Sequence, residues 1–420
     1  MHIVIIGNSA AGVKAVETIR RYDSHSKITM ISKEEGPAYS RVLLPYYLRE
    51  KINYDGLFFR GEEFYDKYNV DTIFNAEVTG LNEAEKSLVM SNGEKVFFDK
   101  LLIATGSSPM MPPIENLPGS NVYNLWDLND ALAIQKHFKH STRVFILGSG
   151  FISIMAAWAA FNQGLKVTVA ELLPRMMPQV LDEKGSEILQ NKLEEHDVSI
   201  YLNSETKKIE RKSDSSIDVY LDDATPFNVD LVIVGTGVKP NTEFLKNTNL
   251  NIGKGIIVNN RMETNIRGIY AAGDVAQGPS VYGGAEVITP LWSTATEQGT
   301  VAGANIAGQN RLYQGCLNMN VVQFFGVTLA SMGKFQVEDD CNINTHIRSD
   351  KESYVKLLEK DNVPLGGIVM GDADLVPLLA SYRPYIMQNK ICKNANLYND
   401  RNKNPAIPVK ALFADTYIRA

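Results

Sequence analysis

Two glycine-rich turns carry residue types that bind nucleotide phosphates. The first, Gly7-Asn8-Ser9-Ala10-Ala11-Gly12, follows an apolar run that opens the chain. Gly7 permits a tight turn, small Ser9 lets the backbone approach a pyrophosphate, and Gly12 allows close packing of helix and strand. The helix that begins here offers free N–H groups to that pyrophosphate. Glu34, after the second predicted strand, is the candidate for the adenosine ribose; a solvated loop carboxylate is the alternative reading.

The second turn, Gly148-Ser149-Gly150-Phe151-Ile152-Ser153, again lies between a predicted strand and a predicted helix. Glu171 follows 23 residues after Gly148, at the end of the next strand. A carboxylate at that position accepts hydrogen bonds from ribose hydroxyls and repels a 2′-phosphate. The turn therefore predicts a site for NADH, with NADPH disfavoured, although Arg175 is close enough in sequence to weaken that preference.

Two further segments add polar groups at glycine turns. Ala104-Thr105-Gly106 follows an apolar strand at residues 101–103, and Gly273-Asp274 ends another strand. Asp274 is positioned to hydrogen-bond a polyhydroxyl chain such as ribitol, whereas an Asp after a Gly is ordinarily only a turn residue. Gly237 closes a further strand-to-turn element that starts at residue 231.

The elements that position these groups form two similar units. Residues 1–31 and 143–171 each predict a strand, a helix and a second strand, which indicates a parallel sheet with a crossover helix. The two units begin about 140 residues apart, so they predict two nucleotide-binding folds. Proline-rich residues 109–113 and residues 239–241 indicate crossings between domains. After residue 312 the pattern changes to strands and a helix, Gly366-Gly367 predicts a turn, and residues 393–420 predict an extended tail.

Composition narrows the class of protein. The chain has 420 residues, of which 44% are hydrophobic and 21% charged, and this is typical of a globular protein with two or three domains. A net charge of −6 without a basic block disfavours nucleic-acid binding. No run approaches the roughly 20 apolar residues of a membrane span. The N-terminus predicts a strand and not a signal peptide, so we expect a cytoplasmic protein.

Cysteine usage argues against a metal site or a redox disulfide. The three cysteines, Cys316, Cys341 and Cys392, are far apart, and no pair has the spacing of metal ligands or of a C-x-x-C motif. Isolated cysteines of this kind are mostly packing residues.

Four of the segments described above, taken in order, resemble the FAD-dependent pyridine nucleotide-disulfide oxidoreductase superfamily. They are the two glycine-rich turns, Ala104-Thr105-Gly106 and Gly273-Asp274. The likeness covers residues 1–308 and includes Trp292 and Gln298-Gly299, which are similar to the helix that packs beneath the flavin in that family. It implies an α/β fold with two Rossmann-like dinucleotide-binding domains, one for FAD and an inserted one for NAD, and a small C-terminal α+β domain. The implied boundaries are 1–112 and 249–311 for FAD, 113–248 for NAD, 312–392 for the C-terminal interface domain and 393–420 for the tail.

The resemblance also implies roles for individual residues. Hydride passes from the nicotinamide to the flavin, which carries the chemistry, so no catalytic side chain is assigned with certainty. Phe151 matches an aromatic residue that gates the nicotinamide pocket, with a core aromatic as the alternative. Arg41 matches arginines that face the FAD pyrophosphate, with a surface arginine as the alternative. The implied FAD residues are Gly7, Ser9, Ala10, Ala11, Gly12, Glu34, Arg41, Ala104, Thr105, Gly106, Gly273 and Asp274, and the implied NAD residues are Gly148, Gly150, Phe151, Glu171 and Gly237.

Departures from the family pattern indicate a branch. Val42 occupies the position of the single reactive cysteine of disulfide-reducing members, and valine cannot form a thiolate. The stretch Tyr39-Ser40-Arg41-Val42 resembles the flavoprotein region of NAD(P)H-nitrite reductases and the NADH–rubredoxin reductases. Met155 and Tyr46 replace a glutamate and a lysine that pair beside the nicotinamide in relatives, so neither charge is left buried alone.

Three functions remain open from the sequence. The first is an NADH-dependent reductase that passes electrons to rubredoxin, a ferredoxin or a metal-containing partner subunit. The second is an FAD-binding relay or assembly subunit of a larger complex that no longer uses NADH, and the third is an NADH oxidase. The chain has no iron–sulfur or haem ligand set, so a one-electron centre is expected on a partner. The C-terminal domain is compatible with a homo-oligomer or a hetero-oligomer.

Overall fold

The computed structural model describes residues 1–222, 224–336, 343–349, 353–361 and 363–388. Cys341, Cys392 and the predicted tail at 393–420 lie outside these residues. Up to residue 109 the elements are β1 (His2–Ile6), α1 (Ala10–Tyr22), β2 (Lys27–Ile31), α2 (Leu44–Leu48), α3 (Glu63–Lys67), β3 (Val70–Ile73), β4 (Val78–Asn82), β5 (Ser87–Met90), β6 (Lys95–Phe97), β7 (Lys100–Ile103) and β8 (Ser107–Pro109).

The middle of the chain alternates strands and helices. Its elements are β9 (Val122–Asn124), α4 (Leu128–Phe138), β10 (Arg143–Leu147), α5 (Phe151–Asn162), β11 (Lys166–Ala170), α6 (Glu183–Glu194), β12 (Ser199–Tyr201), β13 (Thr206–Arg211), β14 (Ile217–Leu221), β15 (Phe227–Val229), β16 (Leu231–Val234) and β17 (Val238–Pro240).

The remaining elements complete the first five-stranded sheet and build the third sheet of that size. They are β18 (Ile256–Ile257), β19 (Ile269–Ala271), β20 (Ala276–Gln277), α7 (Trp292–Ile306), β21 (Met319–Phe324), β22 (Val327–Gly333), β23 (Ile343–Ser349), β24 (Tyr354–Lys360), β25 (Val363–Gly371), α8 (Val376–Ala380) and α9 (Arg383–Gln388).

The first parallel sheet has the order β19-β7-β1-β2-β3. Strand β1 is central, and Ile3, Val4 and Ile5 are fully buried, which is why the chain opens on a continuous apolar run. Helices α1 and α7 meet closely because α7 presents glycine to α1. A Cβ atom on Gly299 would lie 2.3 Å from the carbonyl oxygen of Ala11. Residues distant in sequence are thus joined in one core.

The second parallel sheet has the order β12-β11-β10-β16-β9. Strands β10 and β16 are wholly apolar at their buried positions, and α5, which is rich in alanine and other apolar residues, shares their core. Short strands β8 and β17 pair with each other in antiparallel fashion at the crossings predicted near residues 109–113 and 239–241. The two passages of the chain between the parallel sheets therefore run side by side.

The third sheet is antiparallel, with the order β21-β22-β25-β24-β23. One of its faces shares a core with α4, α5 and α6, and α8 and α9 pack with buried residues of the other. Two short helices follow the strands, where the sequence predicted one. Together with the two parallel sheets, this confirms the predicted fold class, whereas the domain boundaries stay predictions.

The predicted turn at Gly366-Gly367 is wrong, because both residues lie inside β25. A Cβ on Gly366 would lie 2.1 Å from the carbonyl oxygen of Met332, and one on Gly367 would lie 2.1 Å from that of Lys356. These glycines are explained by close approach of the neighbouring strands. In the part of the chain that the structure describes, no helix is both long and apolar enough to cross a membrane.

Candidate functional site

One cavity of about 2860 Å³ is lined by both glycine turns. A pocket for one small ligand typically occupies about 300–1,000 Å³, so this cavity has room for more than one. Its wall also includes residues of α7 and of strand β21 from the C-terminal sheet. The fold thus brings the two predicted nucleotide sites to one continuous space.

The first glycine turn is shaped by backbone contacts that admit no side chain. Gly7 has φ +118°, and a Cβ atom there would lie 2.1 Å from the carbonyl oxygen of Ala104. A Cβ on Gly12 would lie 2.0 Å from the carbonyl oxygen of Gly7. The N–H of Gly7 donates to the carbonyl of Ile31 at 2.8 Å. The turn is thereby held against the carboxyl ends of β2 and β7.

Three long helices begin at the cavity, and none is capped by a side chain. Helices α1, α5 and α7 have Ser9, Gly150 and Leu291 at their N-caps, without a side-chain cap hydrogen bond and without an acidic residue in the first turn. By contrast, α4 and α6 are capped by the carboxylates of Asp127 and Asp182. Uncapped N-termini carry free N–H groups and a partial positive charge, which suit pyrophosphate or another anionic group.

Glu34 and Arg41 form an ion pair in the cavity wall. The Arg41 guanidinium also donates to the hydroxyl of Tyr39 at 2.8 Å, and it lies 5.1 Å from the Tyr39 ring centroid and 5.9 Å from that of Trp126. Tyr39 in turn donates to Glu34 at 2.5 Å and accepts from the N–H of Leu128 at 3.1 Å. The two charged residues assigned to ribose and pyrophosphate therefore neutralise each other in this structure.

Glu171 directly follows β11 and lines the cavity beside the second glycine turn. Its Oε2 accepts from the N–H of Ser149 at 3.0 Å and from the Ser149 hydroxyl at 2.6 Å, and its Oε1 accepts from the N–H of Leu173 at 3.0 Å. Arg175 is not part of the cavity wall; its guanidinium donates to the carbonyl of Pro178 at 3.5 Å. Arg175, which weakened the predicted preference for NADH, therefore does not line the cavity beside Glu171.

Asp274 lies in the cavity wall with Gly273 and Gly106. Burial raises the pKa of Asp274, while the Ser107 hydroxyl, which donates to its Oδ2 at 2.7 Å, and the charge of Arg41 act in the opposite direction. The N–H of Gly273 donates to Gln298 Oε1 at 2.8 Å, and Gln298 is buried in α7. Asp274, which was predicted to bind a polyhydroxyl group, is therefore held by Ser107 of strand β8. The turn that carries Asp274 is held by Gln298 of α7.

The residues assigned to the hydride site also line the cavity. Phe151, Met155 and Tyr46 line it, together with Val42, whose side chain is exposed to it. Phe151 is half-buried at the start of α5, and Met155 lies one turn later and is buried. One turn beyond Met155, the Trp158 ring stacks with the Arg49 guanidinium, 3.1 Å from the ring centroid. Neither Met155 nor Tyr46 is charged, whereas relatives were expected to carry a charge pair at these two positions.

The structure brings together all of the predicted site residues except one. Only Gly12 is absent from the cavity wall, where its contribution is the helix packing described above. Their roles toward each nucleotide stay predictions. Three residues without a predicted role, Ser149, Tyr39 and Ser107, hold predicted ones. Their hydroxyls donate to Glu171, Glu34 and Asp274, respectively. A hydroxyl residue within a glycine turn or just after one was the available signal for Ser149 and Ser107.

Cys316 is the one cysteine that the structure describes. It is buried, burial raises the pKa of its thiol, and its sulfur accepts from Gln298 Nε2 at 3.5 Å. It does not line the cavity. Within the described residues, no three His, Cys, Asp or Glu side chains are grouped in a way that would hold a metal ion.

Comparisons with known proteins agree with this geometry. Residues 1–299 match the family model described as pyridine nucleotide-disulphide oxidoreductase, and residues 319–389 match the rubredoxin NAD+ reductase C-terminal domain. The NADH oxidase of Methanocaldococcus jannaschii is 32% identical over 342 residues, which cover 79% of this chain and 76% of that protein. The epsilon subunit of the NADH-dependent phenylglyoxylate dehydrogenase of Aromatoleum evansii is 28% identical, with 87% of each chain covered.

Among solved structures, the NADH:rubredoxin oxidoreductase from Clostridium acetobutylicum is similar to this chain with a TM-score of 0.76 and 26% identity. The similarity covers 94% of this chain and 97% of that one, so it includes both parallel sheets and the C-terminal sheet. The family model matches well over half of the chain. The chain belongs to the pyridine nucleotide-disulphide oxidoreductase family.

Proposed function

We propose that this chain is an FAD-dependent NADH oxidoreductase that passes electrons to a separate acceptor protein. The observation that carries the proposal is the single cavity into which both glycine turns and the uncapped helices that follow them, α1 and α5, open. Two dinucleotides whose reactive rings must meet require such a shared space. FAD, when bound, supplies the redox chemistry by accepting two electrons and releasing them singly or in pairs.

The residues present fit the two nucleotides. The N-terminus of α1, with Gly7 at its turn, binds the FAD pyrophosphate, and Asp274 accepts hydrogen bonds from the ribityl hydroxyls. The N-terminus of α5 binds the NADH pyrophosphate, and Glu171 accepts from the adenosine ribose. Phe151 and Met155 limit the access of water to the nicotinamide end of the cavity.

The acceptor is best sought among small electron-transfer proteins. The match of residues 319–389 to the rubredoxin NAD+ reductase C-terminal domain supports rubredoxin first. The solved relative from Clostridium acetobutylicum, an NADH:rubredoxin oxidoreductase, supports the same class. A ferredoxin is the next choice within this class, and a metal-containing partner subunit is the choice outside it.

Two other functions have a specific observation in their favour. An FAD-binding relay or assembly subunit that does not use NADH is favoured by Met155 and Tyr46, two uncharged residues where a charge pair was expected. The relative from Aromatoleum evansii supports a place in a larger enzyme, although the enzyme it belongs to is named as NADH-dependent. An NADH oxidase is favoured by the relative of that name. Both retain the FAD site and differ from the leading proposal in the donor or the acceptor.

The experiment that separates these functions is an anaerobic titration of the purified flavoprotein with NADH, followed at the flavin absorbance band. Bleaching by NADH, and rapid reoxidation by added rubredoxin or ferredoxin but slow reoxidation by oxygen, is expected. Fast reoxidation by oxygen alone would favour the oxidase. Bleaching by dithionite but not by NADH would refute the proposal and favour the relay subunit.

A further inference from the structure

Ser149 links three parts of the second nucleotide site through one buried hydroxyl. The residue is 1% exposed and is the second residue of the glycine turn. Its hydroxyl donates to Glu171 Oε2 at 2.6 Å and accepts from the N–H of Met177 at 2.9 Å. It therefore connects the turn, the carboxylate after β11 and the segment that leads to α6.

The direction of these hydrogen bonds is set by chemistry. The Met177 N–H can only donate, so the Ser149 oxygen accepts it, and the hydroxyl proton is left to point at Glu171. The donor–acceptor distance of 2.6 Å is in the range of a charge-assisted hydrogen bond to a carboxylate. With the N–H groups of Ser149 and Leu173, the Glu171 carboxylate receives three donors and is held in one orientation.

The backbone of Glu171 is held as well. Its N–H donates to the carbonyl of Tyr201 at 2.8 Å, and its carbonyl accepts from the N–H of Ser204 at 3.1 Å. The side chains that follow it, Leu172 and Leu173, are exposed and apolar, and Leu172 is 63% exposed. The carboxylate therefore cannot move away from an incoming phosphate without breaking the three hydrogen bonds.

Two other charged residues of the same wall neutralise each other. Lys207 and Glu205 both line the cavity and pair with each other at 2.7 Å. Arg175 lies outside the wall. Selection between nucleotides with and without a 2′-phosphate therefore depends on how firmly the Glu171 carboxylate is fixed.

We propose that Ser149 is a specificity-determining positioning residue, which holds Glu171 rigidly so that a 2′-phosphate on the adenosine ribose is rejected. The inference deepens the proposed function and rests on its NADH site. On this proposal, the preference for an unphosphorylated ribose depends on Glu171 and also on the Ser149 hydroxyl, which need not touch the nucleotide. Loss of this hydroxyl lets the carboxylate turn aside and accommodate the phosphate.

The test measures binding of ADP-ribose and of 2′-phospho-ADP-ribose to the flavin-loaded protein by calorimetry. Neither ligand has a nicotinamide, so the result does not depend on hydride transfer. Ser149→Ala is expected to narrow the preference for ADP-ribose about tenfold, which is the lower end of what one charge-assisted hydrogen bond supports. Ser149→Cys, which replaces the hydroxyl by a larger sulfur atom with a weak donor, is expected to narrow that preference by a smaller factor.

Ser153→Ala is the matched control, because it removes another buried hydroxyl from the same turn. The Ser153 hydroxyl donates to the carbonyl of Gly235 at 3.2 Å and not to Glu171, so the ratio of the two affinities is expected to stay unchanged. A structural disturbance of the turn would weaken both ligands together, whereas the proposal concerns their ratio.

The outcomes separate this inference from the proposed function. An unchanged ratio in both Ser149 variants, with ADP-ribose still bound, would overturn the role of Ser149 and leave the NADH site intact. Equal affinities of the wild-type protein for ADP-ribose and 2′-phospho-ADP-ribose would also overturn the role of Ser149. Failure of the wild-type protein to bind either ligand would refute the NADH site itself, and the inference with it.

Discussion

Replacement of Gly7 by alanine is expected to remove the bound flavin and to destabilise the protein strongly. Two effects add at this position. The φ of +118° lies where an L-residue is strained, which costs about 1–2 kcal/mol. The new Cβ would also lie 2.1 Å from the carbonyl oxygen of Ala104, a rigid backbone atom, and overpacking of this kind costs about 1–3 kcal/mol. Together the free energy of unfolding should fall by about 2–5 kcal/mol.

Two other glycines separate these effects. Gly93 has φ +85° with no atom within 4 Å of a built Cβ, so Gly93→Ala tests backbone strain alone. Gly12 has no positive φ but would place a Cβ 2.0 Å from the carbonyl oxygen of Gly7, so Gly12→Ala tests overpacking in the same turn. Gly93→Ala should lose about 1–2 kcal/mol and keep its flavin.

The assay combines urea unfolding of the flavin-free proteins, followed by circular dichroism, with the molar ratio of flavin to protein after purification. Removing the flavin first keeps a difference in cofactor binding from entering the unfolding midpoint. If Gly7→Ala retained a full complement of flavin and unfolded at the same urea concentration as Gly93→Ala, the account of this turn would be refuted.

Three further predictions concern charges. Lys356→Met should lower the free energy of unfolding by about 2–3 kcal/mol, because it leaves the half-buried Asp182 without its cation; in a double-mutant cycle with Asp182→Asn the two losses should not add. Burial raises the pKa of Asp230, but donors at residues 142–143 outweigh it and bring the pKa to about 2, so its stabilisation is present above the ordinary value of 3.8 and lost as pH falls towards 2. Asp230→Asn should therefore cost about 1–2 kcal/mol at pH 7 and flatten the acid limb of the stability curve measured by thermal unfolding. Met155→Glu should lower the thermal midpoint because a carboxylate enters an apolar wall, and adding Tyr46→Lys should restore part of it; a double variant no more stable than Met155→Glu would contradict the pairing of these positions.

The parts of the fold that the sequence predicted are those with local signals. A short apolar run, a glycine turn and a helix follow one another within about twenty residues, so β1 with α1 and β10 with α5 were predicted with almost the observed bounds. The unit predicted over residues 1–31 is observed from His2 to Ile31, and the unit predicted over residues 143–171 is observed from Arg143 to Ala170. The predicted turn at Gly366-Gly367 was wrong because glycine occurs both in turns and where strands approach closely. Only the position of the partner strands distinguishes the two.

Long-range polar contacts could not be predicted from the sequence. Nothing local to Glu34 indicates that it pairs with Arg41, and the sequence analysis gave these residues separate roles. The Asp182–Lys356 pair joins residues 174 positions apart, across the junction between α6 and the third sheet. Such contacts depend on how the sheets pack, which hydrophobic periodicity does not specify.

The helix N-termini provide a second kind of evidence for the two nucleotide sites. A side-chain N-cap contributes about 0.5–2 kcal/mol, and the chain uses aspartate for this purpose at α4 and α6. It forgoes that contribution at α1, α5 and α7, the three long helices that begin at the cavity. A carboxylate at those N-caps would satisfy the N–H groups but repel a pyrophosphate. The distribution of caps is therefore the one expected if bound anions, and not side chains, complete these helices.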